Sequence, residues 1–222
     1  MDISNERGAY TMKKRGRKNR RAAVPALWGA MVVLSGCAHT AGAGGVAALS
    51  RLQTLEGAPV TIEEVAARHR VTVLVWWAST CPCVRRYEER LLTLQKNYAA
   101  RGVGMYAVAS NADDSPEVIR DVARERGFTL PIWRDDGAEL AGHFAVTSTP
   151  TVVLLDQTAG LRYRGWLDNE RLPGEKDRIA YVEQALNELL TGGDDFSARS
   201  PVYGCIITRS LFESGHCVQA PN

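Results

Sequence analysis

An α/β domain built on a mixed sheet is the fold class this sequence predicts. Three observations predict it. Residues 71–78 form a charge-free run of β-branched and aromatic side chains, the pattern of a strand buried on both faces. Strand-like and helix-like segments then alternate along the chain. The series closes with two adjacent strand-like segments and an amphipathic helix, a hairpin and then a helix. No internal repeat is visible.

Thr61-Ile62-Glu63-Glu64 fits a capping box, with Thr61 as N-cap and Glu64 three residues into the helix. Ile62, Val65 and Ala66 line one face of this short helix, which ends near His69. The buried strand 71–78 follows. Val84, Tyr87, Leu91, Leu94 and Tyr98 then form one apolar stripe with Arg and Glu opposite, a long helix that Gly102 stops. A strand is expected over 103–109. Ser115 and Pro116 open the next helix as N-cap and first helical residue, and Gly127 closes it. A short strand over 130–133 and a short helix over 137–144 come next. Residues 151–155 turn through 157–160 into 162–167, the hairpin. The last helix runs from about Lys176 to Leu190, with Ile179, Val182, Leu186 and Leu189 inward.

The chain has 222 residues, 45% hydrophobic and 23% charged, an ordinary globular composition that argues against disorder, collagen and coiled coil. The formal charge is +2, but its distribution is uneven. Residues 1–36 carry eight Lys/Arg and two Asp/Glu, a charge of +6, and the remainder carries −4. The basic excess sits in the first 21 residues, so nucleic acid is not expected as a partner.

That basic run has the form of an export address. Cationic residues from Lys13 to Arg21 precede 14 uncharged, mostly apolar residues, 22–35. This is too short to span a hydrocarbon core, which needs roughly 20 residues, and it matches a secretory signal peptide. Residues 1–36 are therefore read as the signal, with Met12 the better start. Leu34-Ser35-Gly36-Cys37 resembles the lipobox of bacterial lipoproteins, which implies lipidation at Cys37. Residues 37–54 would be the lipidated cysteine and a flexible Gly/Ala-rich tether. The expectation is an exported protein, lipid-anchored to a bacterial membrane and facing the periplasm or the cell exterior, where thiols are not held reduced by glutathione.

The segment that carries chemistry is Trp76-Trp77-Ala78-Ser79-Thr80-Cys81-Pro82-Cys83-Val84-Arg85-Arg86-Tyr87, where the buried strand gives way to the long helix. A cysteine at that junction aims its sulfur at unpaired helix N–H groups and at the positive end of the helix dipole. Both favour thiolate, so the Cys81 pKa should fall below the ~8.5 of a free cysteine. Pro82 suits the first helical turn, and Arg85 and Arg86 add positive potential. Downstream, Thr149-Pro150 stands just before a strand, where proline is poorly tolerated, so a special turn or a cis peptide is expected.

Trp77-Ala78-Ser79-Thr80-Cys81-Pro82 resembles the active-site approach of the thioredoxin superfamily, and Thr149-Pro150-Thr151 its cis-proline loop. The element order over residues 55–192 is similar as well. The nearest branch is the redoxin group of alkyl-hydroperoxide-reductase/thiol-specific-antioxidant proteins and membrane-anchored thioredoxin-like proteins. The resemblance implies a thioredoxin-like mixed sheet of four to five strands flanked by helices, with disulfide or peroxide chemistry. It implies Cys81 as the nucleophile, and Trp77, Thr80, Pro82, Thr149 and Pro150 around the bound substrate.

The sequence departs from that pattern at the second cysteine. Val84 stands where a Cys-x-x-Cys motif would close, and Cys83 comes one residue earlier. Residues two apart on a helix point ~200° from each other, so a Cys81–Cys83 disulfide would distort the first turn. The helical spacing sets Cys83 with Arg86 and Arg90 on the polar face. Peroxiredoxins carry a Thr three residues before the peroxidatic cysteine and a Pro four residues before that Thr. Thr80 has that spacing to Cys83, but Trp76 replaces the proline, and Ala78 precedes Cys81.

Residues 193–222 form a tail with Cys205 and Cys217. Some redoxin-like proteins with a Cys-Pro-x-x-x-Arg-Tyr site end in a Gly-Cys segment. Here Cys81, Pro82, Arg86, Tyr87, Gly204 and Cys205 follow that pattern. Cys205 could resolve an oxidised Cys81, or pair with Cys217. A copper site of two cysteines and a distant histidine occurs on this fold. The Cys81–Cys83 spacing differs from it, and no metal ion or other cofactor is expected.

The leading expectation is a membrane-anchored thiol–disulfide oxidoreductase in which Cys81 attacks and Cys83 or Cys205 resolves. Its partners would be protein disulfides, or peroxide, and a thiol electron donor. The alternatives are a peroxiredoxin-like thiol peroxidase and a non-catalytic thioredoxin-fold binding module.

Overall fold

The computed structural model describes residues 52–170, 176–193, 204–209 and, through their backbone only, 217–218. The expected signal, Cys37 and the tether up to residue 51 lie outside the described residues.

The described residues begin with a three-residue strand, β1 (Leu52–Thr54), and a short helix, α1 (Ile62–Ala66). The buried apolar run forms β2 (Val71–Trp77), every residue of which is buried, and passes into α2 (Pro82–Tyr98). A single 3-10 turn and Gly102 at φ 83° then reverse the chain into β3 (Val103–Ala109). Next come α3 (Pro116–Arg126), β4 (Ile132–Asp135), α4 (Glu139–His143) and the two-residue β5 (Ser148–Thr149). The hairpin is β6 (Val152–Leu155) and β7 (Leu161–Gly165), followed by α5 (Tyr181–Thr191). Two tail strands complete the series, β8 (Gly204–Ile206) and β9 (Cys217–Val218).

The main sheet has six strands in the order β1-β4-β3-β2-β6-β7. β2, β3 and β4 are mutually parallel, whereas β1, β6 and β7 join antiparallel. The mixed sheet expected from the sequence is therefore present, one strand wider than the expected four to five. The extra edge strand, β1, is too short to show periodicity.

Side-chain alternation along β2 divides the core. Val71, Val73, Val75 and Trp77 pack with α2, α3 and α5, while Leu74 and Trp76 pack with α1 and α4 on the other face. Helices thus cover both sides, as a largely parallel sheet requires. The apolar stripe of α2 lies in the first of these layers.

Local signals differ in how they play out. Ser115 caps α3 as expected, its Oγ accepting from Val118 N at 3.3 Å. Thr61 is the N-cap of α1 but makes no side-chain cap bond, so the capping box does not form. The last helix starts at Tyr181 rather than near Lys176. Ile179 N donates to Asn169 Oδ1 at 2.6 Å and its carbonyl accepts from Asn169 N at 3.3 Å. These bonds divert the segment from helix and leave Ile179 exposed, and Leu190 is more deeply buried than Leu189.

Candidate active site

Cys81 is the N-cap residue of α2, with extended backbone (φ −79°, ψ 113°), and Pro82 begins the helix. β2 is held between β3 and β6, so the exit of the strand fixes where this cysteine sits. Cys81 is joined by a disulfide to Cys205, 124 residues later, with the two Cα atoms 6.0 Å apart. Cys81 Sγ also lies 3.4 Å from the carbonyl oxygen of Thr149. The Thr149–Pro150 peptide bond is cis.

The tail reaches Cys81 by strand pairing. β8 adds antiparallel to β5, with Ser148 opposite Ile206 and Thr149 opposite Cys205. β9 then pairs with β8, with Cys217 opposite Cys205 along the backbone. The approach of β8 is close at Gly204, where a Cβ would collide with the Thr149 carbonyl. Beyond Cys205, Ile207 N donates to Thr147 O at 3.0 Å and Ala112 N donates to Thr208 O at 2.9 Å. Thr208 N donates to Asn111 Oδ1 at 3.0 Å. Cys205 is therefore held by strand pairing and anchored by the residues just beyond it. Of the two pairings left open for it, Cys81 and not Cys217 takes the bond.

Polar groups beneath the loop are buried and partnered. Asp114 accepts from the Ser79 backbone N–H at 3.3 Å and from the Ser79 hydroxyl. Burial pushes the Asp114 carboxyl above its usual range, and the Ser79 bonds oppose that rise. Arg126 donates to the Ser79 carbonyl at 2.5 Å and to Glu88 Oε1 at 3.1 Å, and Glu88 Oε1 also accepts from Trp77 Nε1 at 2.9 Å. On the other face, Trp76 Nε1 donates to Ser110 Oγ at 3.0 Å, and Ser110 donates to Asp135 at 2.7 Å. Asp135, whose carboxyl burial also pushes upward, accepts from the N–H groups of Leu140 and Ala141. Asp114 and Asp135 are thus internal braces.

Cys83 departs from its expected setting. It lies beside Arg86, whose Nη2 donates to its sulfur at 3.4 Å, but it is only 4% exposed and belongs to the core. The helix start is covered by β8 and Cys205, which turns a nominally polar face inward. The sulfurs of Cys81, Cys83 and Cys205 all lie within 4.8 Å of one another. Among the described residues this trio has a donor spacing suited to a soft metal ion. With Cys81 and Cys205 joined, however, only one of the three sulfurs is a thiol, and thiolates are the ligands such an ion takes.

A pocket of ≈ 260 Å³ opens over the disulfide, lined by Thr80, Cys81, Pro82, Asn111, Cys205 and Thr208 among others. Thr80 and Pro82 therefore stand at the sulfur pair. Trp77 does not. Strand alternation turns it into the α2 layer, fully buried and stacked on Phe128 with ring centroids 5.9 Å apart. Thr149 and Pro150 are beside Cys81 but covered, because β8 already pairs with the Thr149 backbone. The side-chain hydroxyls of Ser148 and Thr149 are buried with no hydrogen-bond partner among the described residues.

Comparison with known proteins gives a consistent family. The family model described as Redoxin matches residues 41–182. The sporulation thiol-disulfide oxidoreductase A of Bacillus subtilis is 24% identical over 113 residues, half of this chain and 67% of that protein. The thioredoxin-like protein SkfH of the same organism is 26% identical over 85 residues, 38% of this chain and 60% of its own length. Among solved structures, an uncharacterized conserved protein from Geobacillus kaustophilus superposes with a TM-score of 0.64 at 28% identity. That match covers 75% of this chain and 92% of that one.

Proposed function

This chain belongs to the Redoxin family and is a thioredoxin-like oxidoreductase, and we propose that Cys81 and Cys205 are its working thiol pair. The observation that carries this reading is their disulfide at the N-terminus of α2, facing an open pocket. In the reduced protein the Cys81 thiolate attacks a client disulfide. One client sulfur leaves as thiolate, and a mixed disulfide forms. Cys205 thiolate then attacks Cys81 Sγ, closes the Cys81–Cys205 bond and releases the second client sulfur. Two electrons pass from the protein to the client, and an external thiol donor restores the pair.

Three features support Cys81 as the attacking sulfur. It caps a 17-residue helix, whose free N–H groups and dipole favour negative charge there. It lines the pocket together with Thr80 and Pro82. Its sulfur sits against the cis-proline loop. The direct test is reduction of insulin disulfides by the purified full-length protein with dithiothreitol as donor. Cys81→Ser is expected to fall to the rate of dithiothreitol alone, and an unchanged rate would reject the assignment. Consumption of hydrogen peroxide no faster than by free cysteine separates this chemistry from a peroxidase.

We also read residues 1–36 as an export signal and Cys37 as the lipidated first residue of the mature protein, anchored outside the cytoplasm. The basic run, the short apolar run and Leu34-Ser35-Gly36-Cys37 support this. No helix among the described residues is long and apolar enough to cross a membrane. Labelled palmitate should enter the wild type in cells and not Cys37→Ser. Equal labelling of both would refute the anchor.

A further inference from the structure

Among the described cysteines at the site, Cys83 is the one to which the thiol cycle assigns no step. It is 4% exposed, it is absent from the pocket wall that Cys81 and Cys205 share, and its sulfur lies within 4.8 Å of both of theirs. Arg86 Nη2 holds that sulfur from 3.4 Å and sets a guanidinium beside it. A thiol so placed is closed to clients. The Cys81–Cys205 bond is the disulfide within its reach.

We propose that Cys83 exchanges with this internal disulfide. Its thiolate attacks Cys205 Sγ, the Cys83–Cys205 bond forms, and Cys81 is expelled as a thiolate into the pocket wall. The step conserves electrons, with one disulfide broken and one formed, and the proton lost by Cys83 balances the one available to Cys81. It needs no outside oxidant or reductant. Cys205 is the sulfur attacked for a geometric reason. Attack on Cys81 would close a small ring between residues only two apart in sequence, across the N-cap and first turn of α2, too short a span for ordinary disulfide geometry. Cys205 comes from strand β8, far from α2 in sequence, and carries no such restraint.

The consequence is a further activity, and it rests on Cys81 being the client-facing nucleophile. In the Cys81–Cys205 form the client-facing sulfur is bonded and has no thiol to offer a client. The exchanged form does. Its Cys81 thiolate can attack a client disulfide while the protein keeps its own disulfide as Cys83–Cys205. The client thiolate so released can attack another client disulfide, and a client thiolate finally displaces Cys81. The client's disulfides are rearranged with no net oxidation. The substrate class is therefore proteins carrying misplaced disulfides, in addition to those being reduced.

The experiment is disulfide mapping of the purified full-length protein. The oxidised protein is incubated natively with N-ethylmaleimide, without reductant, then denatured, digested and mapped by mass spectrometry. The expected product has Cys81 alkylated and Cys83 bonded to Cys205, and Cys83→Ser should lose the Cys81 label. In a second arm, Cys81→Ser oxidised with diamide should contain the Cys83–Cys205 bond. Label on Cys83 with Cys81–Cys205 intact, or a Cys81→Ser protein whose Cys83 and Cys205 stay unlinked, overturns the proposal. Both readouts follow bonds and not client turnover. A protein inert toward insulin can pass them, and one that reduces insulin can fail them.

Discussion

Gly204 lies so close to Thr149 that its position has no room for a Cβ beside the Thr149 carbonyl. The obstacle is backbone, which cannot swing aside as a side-chain tip could. Gly204→Ala should therefore lift β8 away from β5 and loosen the disulfide at the next residue. In a glutathione redox buffer the Cys81–Cys205 equilibrium should shift toward the dithiol by roughly tenfold, about 30 mV in potential. An unchanged midpoint would mean that the strand pairing does not hold the sulfurs together.

Cys205→Ser should separate the two halves of the thiol cycle. Attack by Cys81 remains, while release of the client slows. Denaturing gels without reductant should show mixed disulfides with client protein in this variant, and Cys81→Ser should abolish them.

Arg126 ties three groups together, the Ser79 carbonyl, Glu88 and, through Glu88, the Trp77 indole. Its side chain is 18% exposed and that of Glu88 9%, so the pair is largely shielded from water. Arg126→Ala would leave a buried carboxylate without its cation and should cost on the order of 2–4 kcal/mol. Urea unfolding of oxidised protein measures this. A loss below about 0.5 kcal/mol would reclassify the pair as an ordinary surface contact.

Tyr87 sets an alkaline limit on stability. Its hydroxyl donates to Glu170 O at 3.1 Å, and burial, helped by the charge of Asp168, pushes its pKa up to about 12 from 10.0. Between those values the folded state keeps a proton that the unfolded state has lost. Stability therefore falls as pH rises through this window, by on the order of 2–3 kcal/mol in total. Tyr87→Phe should lose a fixed increment at neutral pH and be flatter above pH 10, as followed by urea unfolding of the disulfide form. Parallel pH curves for the two proteins would show that another group causes the decline.

Legibility in the sequence follows how much of an element's stability is local. β2 and β3 could be read directly, because strands buried on both faces are continuous apolar runs. The α2 stripe and the Ser115 cap are likewise written in near neighbours. β1, β5 and β8 have two or three residues each and exist only through their partners, so no window of sequence holds their signal. At the site, Cys81 was legible from its junction and Thr149-Pro150 from a proline before a strand. Helical spacing sets Cys83 with Arg86, but its burial depends on a tail more than a hundred residues away.

The anchoring of the tail just beyond Cys205 has a kinetic consequence. Bonds from Ile207, Thr208 and Ala112 hold the segment without help from sulfur, so they should survive when the disulfide opens. A tethered thiol acts as one at high local concentration, and loss of diffusional freedom has already been met during folding. Client dwell time on Cys81 is then a property of the protein's own chain. It is independent of how much free thiol surrounds the molecule, and the same molecule should let go at one rate in thiol-rich and thiol-poor surroundings.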